Sequence, residues 1–172
     1  AVHADNPEYA EVVRRGIPMM SRAELLGQIM KNYGEAIAVS GTHGKTTTTS
    51  MLTEILLTAE KNPTISVGGI LHSIGGNIRV GKSEYFVTEA CEYTNSYHAF
   101  KPFISIILNV DADHLDFFKD IDEIAESFHV FATKTPKEGL VIVNGDMKYY
   151  DTVVRDLECR VVTFGKGAQN KY

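Results

Sequence analysis

Cysteine is almost absent from this chain: its 172 residues include only Cys91 and Cys159. Neither has a neighbour at a metal-ligand or redox spacing, so no disulfide framework can be built, as expected for a reducing compartment. Long apolar runs are missing too. The longest, residues 103–108, is broken by Ser105 and is of strand length, far short of the ~20 residues of a membrane span. No Lys/Arg cluster offers a phosphate track and the net charge is −5, which argues against a nucleic-acid partner. Repeats, low-complexity tracts and a signal peptide are also lacking. What remains is a globular composition, 44% apolar and 23% charged, enough for one buried core.

The local signals alternate between strand and helix. Asn6 followed by Pro7 predicts a helix that Gly16 closes, and residues 17–20 read as a short extended piece. Ser21 with Glu24 forms a capping box for a helix carrying Leu25, Leu26 and Ile29, ending near Gly34. Residues 36–40 read as a buried strand. The helix after residues 41–46 has Met51, Leu52, Ile55, Leu56 and Ala59 as its predicted apolar face. Residues 64–67 are the next strand, followed by a glycine-rich loop over residues 68–77. Residues 78–80 and 85–88 flank Gly81-Lys82 and read as a hairpin.

Residues 103–108 read as a central parallel strand. Asp120 and Glu123 cap a helix whose inward face is Ile121, Ile124, Ala125, Phe128, Phe131 and Ala132. Residues 140–143 and 160–164 are further strands, with a helix around 149–157 between them. The alternation predicts an α/β fold with a mostly parallel sheet flanked by helices. A boundary is expected near residues 32–35. Residues 1–33, two helices around one short extended piece, cannot make a core and read as the C-terminal remnant of a preceding domain. Residues 34–172 form a self-consistent nucleotide-binding unit.

Gly41-Thr42-His43-Gly44-Lys45-Thr46 sits after a buried strand and before a helix, where phosphate is bound. Glycines let the backbone approach phosphate oxygens, while free amides and the helix dipole point at the anion. Lys45 can reach β- and γ-phosphates, and the Thr46 hydroxyl can take a Mg²⁺ position. The usual pattern has a glycine six residues before the lysine. Here that position is Val39, so the loop is a shortened variant. Glu89, at the end of its strand, supplies the metal-binding carboxylate such a loop needs. Glu92 reads either as a ligand or as a solvated loop acid.

Residues 109–116, Asn-Val-Asp-Ala-Asp-His-Leu-Asp, follow the most apolar strand. A neutral His114 there could hold a second divalent ion, oriented by Asp113 or Asp116. The loop 68–77 could approach a bulky polar substrate or be a mobile surface loop. His43 reads as loop-shaping or phosphate-side rather than as a base. Cys91 reads as a small packing residue beside the site.

Taken together, Gly41–Thr47, Glu89-Ala90-Cys91-Glu92 and the 109–116 segment resemble the ATP-dependent Mur ligases, three separated motifs in family order. The resemblance implies a P-loop NTPase-like central domain. In it Gly41, Thr42, His43, Gly44, Lys45, Thr46 and Thr47 bind ATP phosphates, with Asn109 on the same side. Lys45, Glu89 and His114 would be catalytic. Thr46 and Glu89 would hold one Mg²⁺ and His114 a second. Gly76, Asn77 and Glu92 would face the substrate.

Sibling ligases for later residues, and folylpolyglutamate synthases, have a carbamylated lysine at the position of Phe128. Its absence favours the branch adding L-alanine to UDP-N-acetylmuramate, in the cytoplasm, with a murein-recycling tripeptide ligase as the alternative. A stand-alone ATP-binding regulatory module is the alternative of another class. A GTPase is disfavoured by the lack of an Asn-Lys-x-Asp motif. The resemblance implies that residues 1–33 are the final segment of the family's UDP-binding domain, and that the rest of that domain and the C-terminal domain are not expected in this sequence. The expectation is therefore an ATPase domain that alone binds nucleotide weakly at best and does not ligate. Oligomeric state stays open.

Overall fold

In the computed structural model, which describes residues 3–113 and 116–172, the predicted alternation becomes a single seven-stranded sheet. Asn6 caps α1 (Pro7–Arg14), its side-chain oxygen accepting from the amides of Glu8 and Tyr9. The expected capping box starts α2 (Arg22–Met30), with Ser21 and Glu24 satisfying each other's backbone amides. α1 buries no residue, whereas Met30 at the end of α2 is fully buried in the main core. Tyr33 continues that packing, its ring 5.2 Å from Phe86 and its hydroxyl donating to Thr64 Oγ1 at 3.0 Å. The segment before the sheet is thus seated on it.

The strands are β1 (Glu35–Ser40), β2 (Thr64–Leu71), β3 (Gly76–Arg79), β4 (Tyr85–Ala90), β5 (Ile104–Ile107), β6 (Leu140–Asn144) and β7 (Arg160–Phe164). Their order is β3-β2-β4-β1-β5-β6-β7, and every pairing is parallel except β2 with β3. β1 is central and, from Ala36 to Val39, apolar and buried on both faces, as a strand covered on both sides should be. Three helices follow in the connections: α3 (Lys45–Thr58), α4 (Ile121–Ala132) and α5 (Tyr150–Val154). α4 turns Ile124, Ala125, Phe128, Phe131 and Ala132 into the core as predicted, with Ile121 half-buried. It also buries Ser127.

Three local expectations are corrected. The Gly81-Lys82 hairpin does not form: β3 pairs with β2, while β4 is held in parallel register between β1 and β2. The glycine-rich stretch 68–77 is not a loop, because β2 runs on to Leu71 and a 3-10 turn (His72–Ile74) leads straight into β3. Ser73 ties that turn to Glu54 on α3. The inward face of α3 is rotated from the predicted stripe. Thr49 and Thr53 are buried and Leu52 and Leu56 half-buried, while Met51 and Ile55 are exposed, at 55% and 63%. The way the chain enters the helix from the 41–44 loop decides which side faces the sheet, and apolar spacing does not record that.

Candidate phosphate-loop site

The C-terminal ends of β1, β4 and β5 lie side by side at the middle of the sheet, with Ser40 in register with Ala90 and Ile107. Ligands of open α/β sheets bind at such an edge. The chain leaving β1 turns at Gly41 (φ 147°), where a Cβ would come within 2.9 Å of Leu108, and at Gly44 (φ 85°), the left-handed cap of α3. No side chain caps α3, so the amides of its first turn face the loop's concavity with the positive end of the helix dipole behind them.

Lys45 folds back across this loop. Its ammonium donates to the carbonyls of Gly41 at 2.6 Å and Thr42 at 3.3 Å, and pairs with Glu92 Oε2 at 3.0 Å and Oε1 at 3.2 Å. Glu92 is 1% exposed, which rules out the solvated-acid reading. The Thr46 hydroxyl donates to Glu89 Oε2 at 3.0 Å. The other oxygen of Glu89 accepts the Gly68 amide at 2.6 Å, and a Cβ on Gly68 would lie 2.8 Å from the carboxylate. Gly68 is therefore a site residue that sequence reading assigned to a loop. Its signal was the Gly68-Gly69 pair, which admits the carboxylate against the backbone.

Asn109 uses both ends of its side-chain amide on one residue: its oxygen accepts the His43 amide at 2.8 Å and its nitrogen donates to the His43 carbonyl at 3.0 Å. Thr42 extends the same seam. Its amide donates to the Asn109 carbonyl at 3.3 Å, and its hydroxyl accepts the Asp111 amide at 2.9 Å and donates to the Asp111 carbonyl at 3.3 Å. The first half of the phosphate loop is thereby zipped to the 109–111 segment. His43 itself is exposed. Tyr93 donates to Asp116 Oδ2 at 2.9 Å, and that acceptor holds the phenol above its usual range.

The structure thus brings together Gly41–Thr47, Glu89, Glu92 and Asn109. Gly76 and Asn77 lie in β3 on the edge hairpin, Gly76 in register with Leu71. The predicted second metal ligand, His114, lies outside the described residues, and among those described no group of three or more His, Cys, Asp or Glu is placed to hold a metal. Thr46 and Glu89 do fit a hard divalent cation, being two oxygen donors in contact at the mouth of the loop. Cys91 is exposed rather than packed.

A mostly parallel sheet with a glycine-lysine-threonine loop between its central strand and a helix N-terminus defines a phosphate-loop α/β domain. Residues 39–172 match the Mur ligase middle domain and residues 1–34 the Mur ligase family catalytic domain. The chain belongs to the Mur ligase family.

It is 60% identical over 165 residues to a UDP-N-acetylmuramate–L-alanine ligase of Lachnospira eligens, covering 96% of this chain and 36% of that protein. It is 52% identical over its full length to the enzyme of that name from Alkaliphilus metalliredigens, covering 37% of it. It superimposes on the UDP-N-acetylmuramate–alanine ligase of Thermotoga maritima with a TM-score of 0.80 at 29% identity, covering 97% of this chain and 38% of that one. With the Neisseria UDP-N-acetylmuramate:L-alanyl-gamma-D-glutamyl-meso-diaminopimelate ligase the TM-score is 0.84 at 28% identity, covering 96% of this chain and 56% of that one. The chain spans just over a third of the length of the curated relatives it matches. Among the described residues, no helix is long and apolar enough to cross a membrane.

Proposed function

We propose that this chain is the ATP-phosphate-binding part of a cytoplasmic ligase that joins L-alanine to the carboxylate of UDP-N-acetylmuramate in peptidoglycan precursor synthesis. The observation that carries the reading is the pairing of the Thr46 hydroxyl with Glu89 beside Lys45, where β1 and β4 end. The names of the relatives at 52–60% identity support the choice of substrates. The two family matches, to residues 1–34 and 39–172, support a boundary between them; in this reading residues 1–33 are the end of a UDP-substrate domain and residues 34–172 an ATP-binding domain.

In this reading the amides at the start of α3 receive the β- and γ-phosphates, and Lys45 steadies the transferred group. Thr46 and Glu89 would hold one Mg²⁺ and His114 a second, and the metal would supply charge neutralisation between two anions that otherwise repel. The acceptor carboxylate attacks the γ-phosphate to give an acyl phosphate and ADP. The amine of L-alanine then displaces phosphate and leaves an amide. Gly76 and Asn77 belong to the sugar-nucleotide side.

The test is a phosphate-release assay on the longer protein with ATP and UDP-N-acetylmuramate, offering L-alanine or the tripeptide L-alanyl-γ-D-glutamyl-meso-diaminopimelate. Release that depends on L-alanine is expected, and Glu89→Ala should abolish it. Turnover with the tripeptide alone would assign the chain to the recycling reaction. Unchanged turnover in Glu89→Ala would reduce the loop to a binding element. The 172-residue chain by itself should bind ADP with Mg²⁺ weakly and release no alanine-dependent phosphate.

A further inference from the structure

Lys45 already has an anion on it. We propose that the Glu92 carboxylate holds the place of a phosphate on the Lys45 ammonium, and that incoming nucleotide must displace it, so that Glu92 makes nucleotide binding depend on a divalent cation. The inference rests on the phosphate-loop reading above.

An ammonium has three hydrogens, and four oxygens lie within 3.3 Å of Nζ: the carbonyls of Gly41 and Thr42 and both oxygens of Glu92. The two carbonyls belong to the loop's own frame and are neutral. Glu92 is the anionic acceptor, and phosphate competes with it for the same protons. The pair is poorly screened, with the Glu92 side chain 2% exposed and that of Lys45 16%. A buried ion pair contributes little net stability against an apolar pair of the same size, yet removing one member leaves the other charge uncompensated. Its use here is to keep the Lys45 side chain aimed across the loop while no phosphate is present.

A second observation shows that the fold, and not Lys45 alone, aims this carboxylate. Thr94 (φ 56°, ψ 22°) and Asn95 (φ 55°, ψ 23°) are successive left-handed residues, a costly conformation for side chains with a Cβ. The Asn95 amide donates to the Glu92 carbonyl at 2.9 Å, and its side-chain oxygen accepts from the Ser127 hydroxyl on α4. Ser127 also bonds the buried Tyr97 hydroxyl at 2.8 Å. This anchored turn fixes the backbone from which Glu92 reaches the loop.

Nucleotide arriving without metal therefore meets Glu92 on the Lys45 ammonium and a second carboxylate, Glu89, on the hydroxyl of the next residue, Thr46. A divalent cation on Thr46 and Glu89 offsets one of those charges. The experiment is calorimetric titration of the 172-residue chain with ADP, with and without Mg²⁺, and with inorganic phosphate, for the wild type, Glu92→Gln and Glu92→Asp. Glu92→Gln should raise metal-free ADP affinity about tenfold, the worth of one charge-assisted hydrogen bond, and narrow the gap between the two conditions. Glu92→Asp keeps the charge but draws it back, and should fall between. An unchanged metal dependence in Glu92→Gln, or weaker metal-free binding, overturns the inference. If Glu92→Gln does not fold by circular dichroism, Glu92→Asp decides, and wild-type behaviour there overturns it. Failure of the wild type to bind ADP even with Mg²⁺ would instead overturn the phosphate-loop reading.

Discussion

Asn109 was expected on the nucleotide side, and the structure gives it something more specific to do. By using its amide on both the N–H and the carbonyl of His43, it fixes the conformation of a loop that lacks the first glycine of the usual pattern. The same bonds occupy the His43 amide, so in the proposed reading the donors left for phosphate are those of the residues after it. Asn109→Ala removes two hydrogen bonds, each worth ~1 kcal/mol or less, from an exposed seam. Weaker Mg²⁺–ADP binding by about tenfold is expected, with faster amide exchange confined to residues 41–44 and 109–111. Unaltered exchange there, read by mass spectrometry, would show that the loop holds its shape without the clamp. Residue identities at this site were legible because each is dictated by local chemistry: glycine where φ is positive, lysine and threonine at a helix start. Gly68 was not legible, since its task is set by a carboxylate 21 positions away.

Among the elements, α3 shows how apolar spacing can name the wrong face. Thr49 and Thr53 lie fully buried against the sheet, and neither hydroxyl, nor that of Ser40, has a hydrogen-bond partner among the described residues. A buried unsatisfied hydroxyl costs ~1 kcal/mol or more, so an isosteric apolar replacement should be neutral or stabilising. Thr49→Val and Thr53→Val are expected to leave the unfolding free energy measured in urea unchanged or raise it, by up to about 1 kcal/mol each. A loss of that size would mean that an ordered water bridges these hydroxyls. Threonine escaped the reading because its methyl packs like valine while its hydroxyl scores as polar.

The starts of α1, α2 and α4 and both ends of β7 were legible from caps and runs that carry their own signal, whereas α2 stops at Met30, short of the expected Gly34. The β2–β3 pairing was not. Gly81 looks like a turn residue, but its amide donates to Thr64 at 2.9 Å and a Cβ there would overlap the Asn62 carbonyl. It is a point of close approach, visible only once the strand order is known.

For the molecule as a whole, pH acts through the network that joins the Glu92 turn to α4. His98 Nε2 lies 2.9 Å from the Ser127 carbonyl, which requires that nitrogen to carry its proton. Burial, and to a lesser degree Lys134, lowers the His98 pKa below its ordinary value near 6.5. A histidine with a depressed folded pKa binds its proton more readily when unfolded. Its contribution is therefore fully present above the unfolded pKa and is lost as pH falls below about 6.5 toward the folded value. Urea stability measured from pH 7.5 to pH 5 should decline over that window, and His98→Gln should flatten the decline. An equally steep decline in the variant would assign it to other groups.

The central position of β1 has a consequence for how this site comes into being. Ile37 is in register with Val87 on one side and Ile104 on the other, partners supplied by chain that follows long after it. Such non-local pairings carry a loop-closure cost before any contact rewards them, so they form late and together. Lys45, Glu89 and Asn109 ride on three of these strand ends, and none can meet the others until the middle of the sheet has closed. A nucleotide thus has no partly folded form of this pocket to recognise, and by mass action its binding free energy adds to the cooperative stability of the whole sheet rather than to one loop.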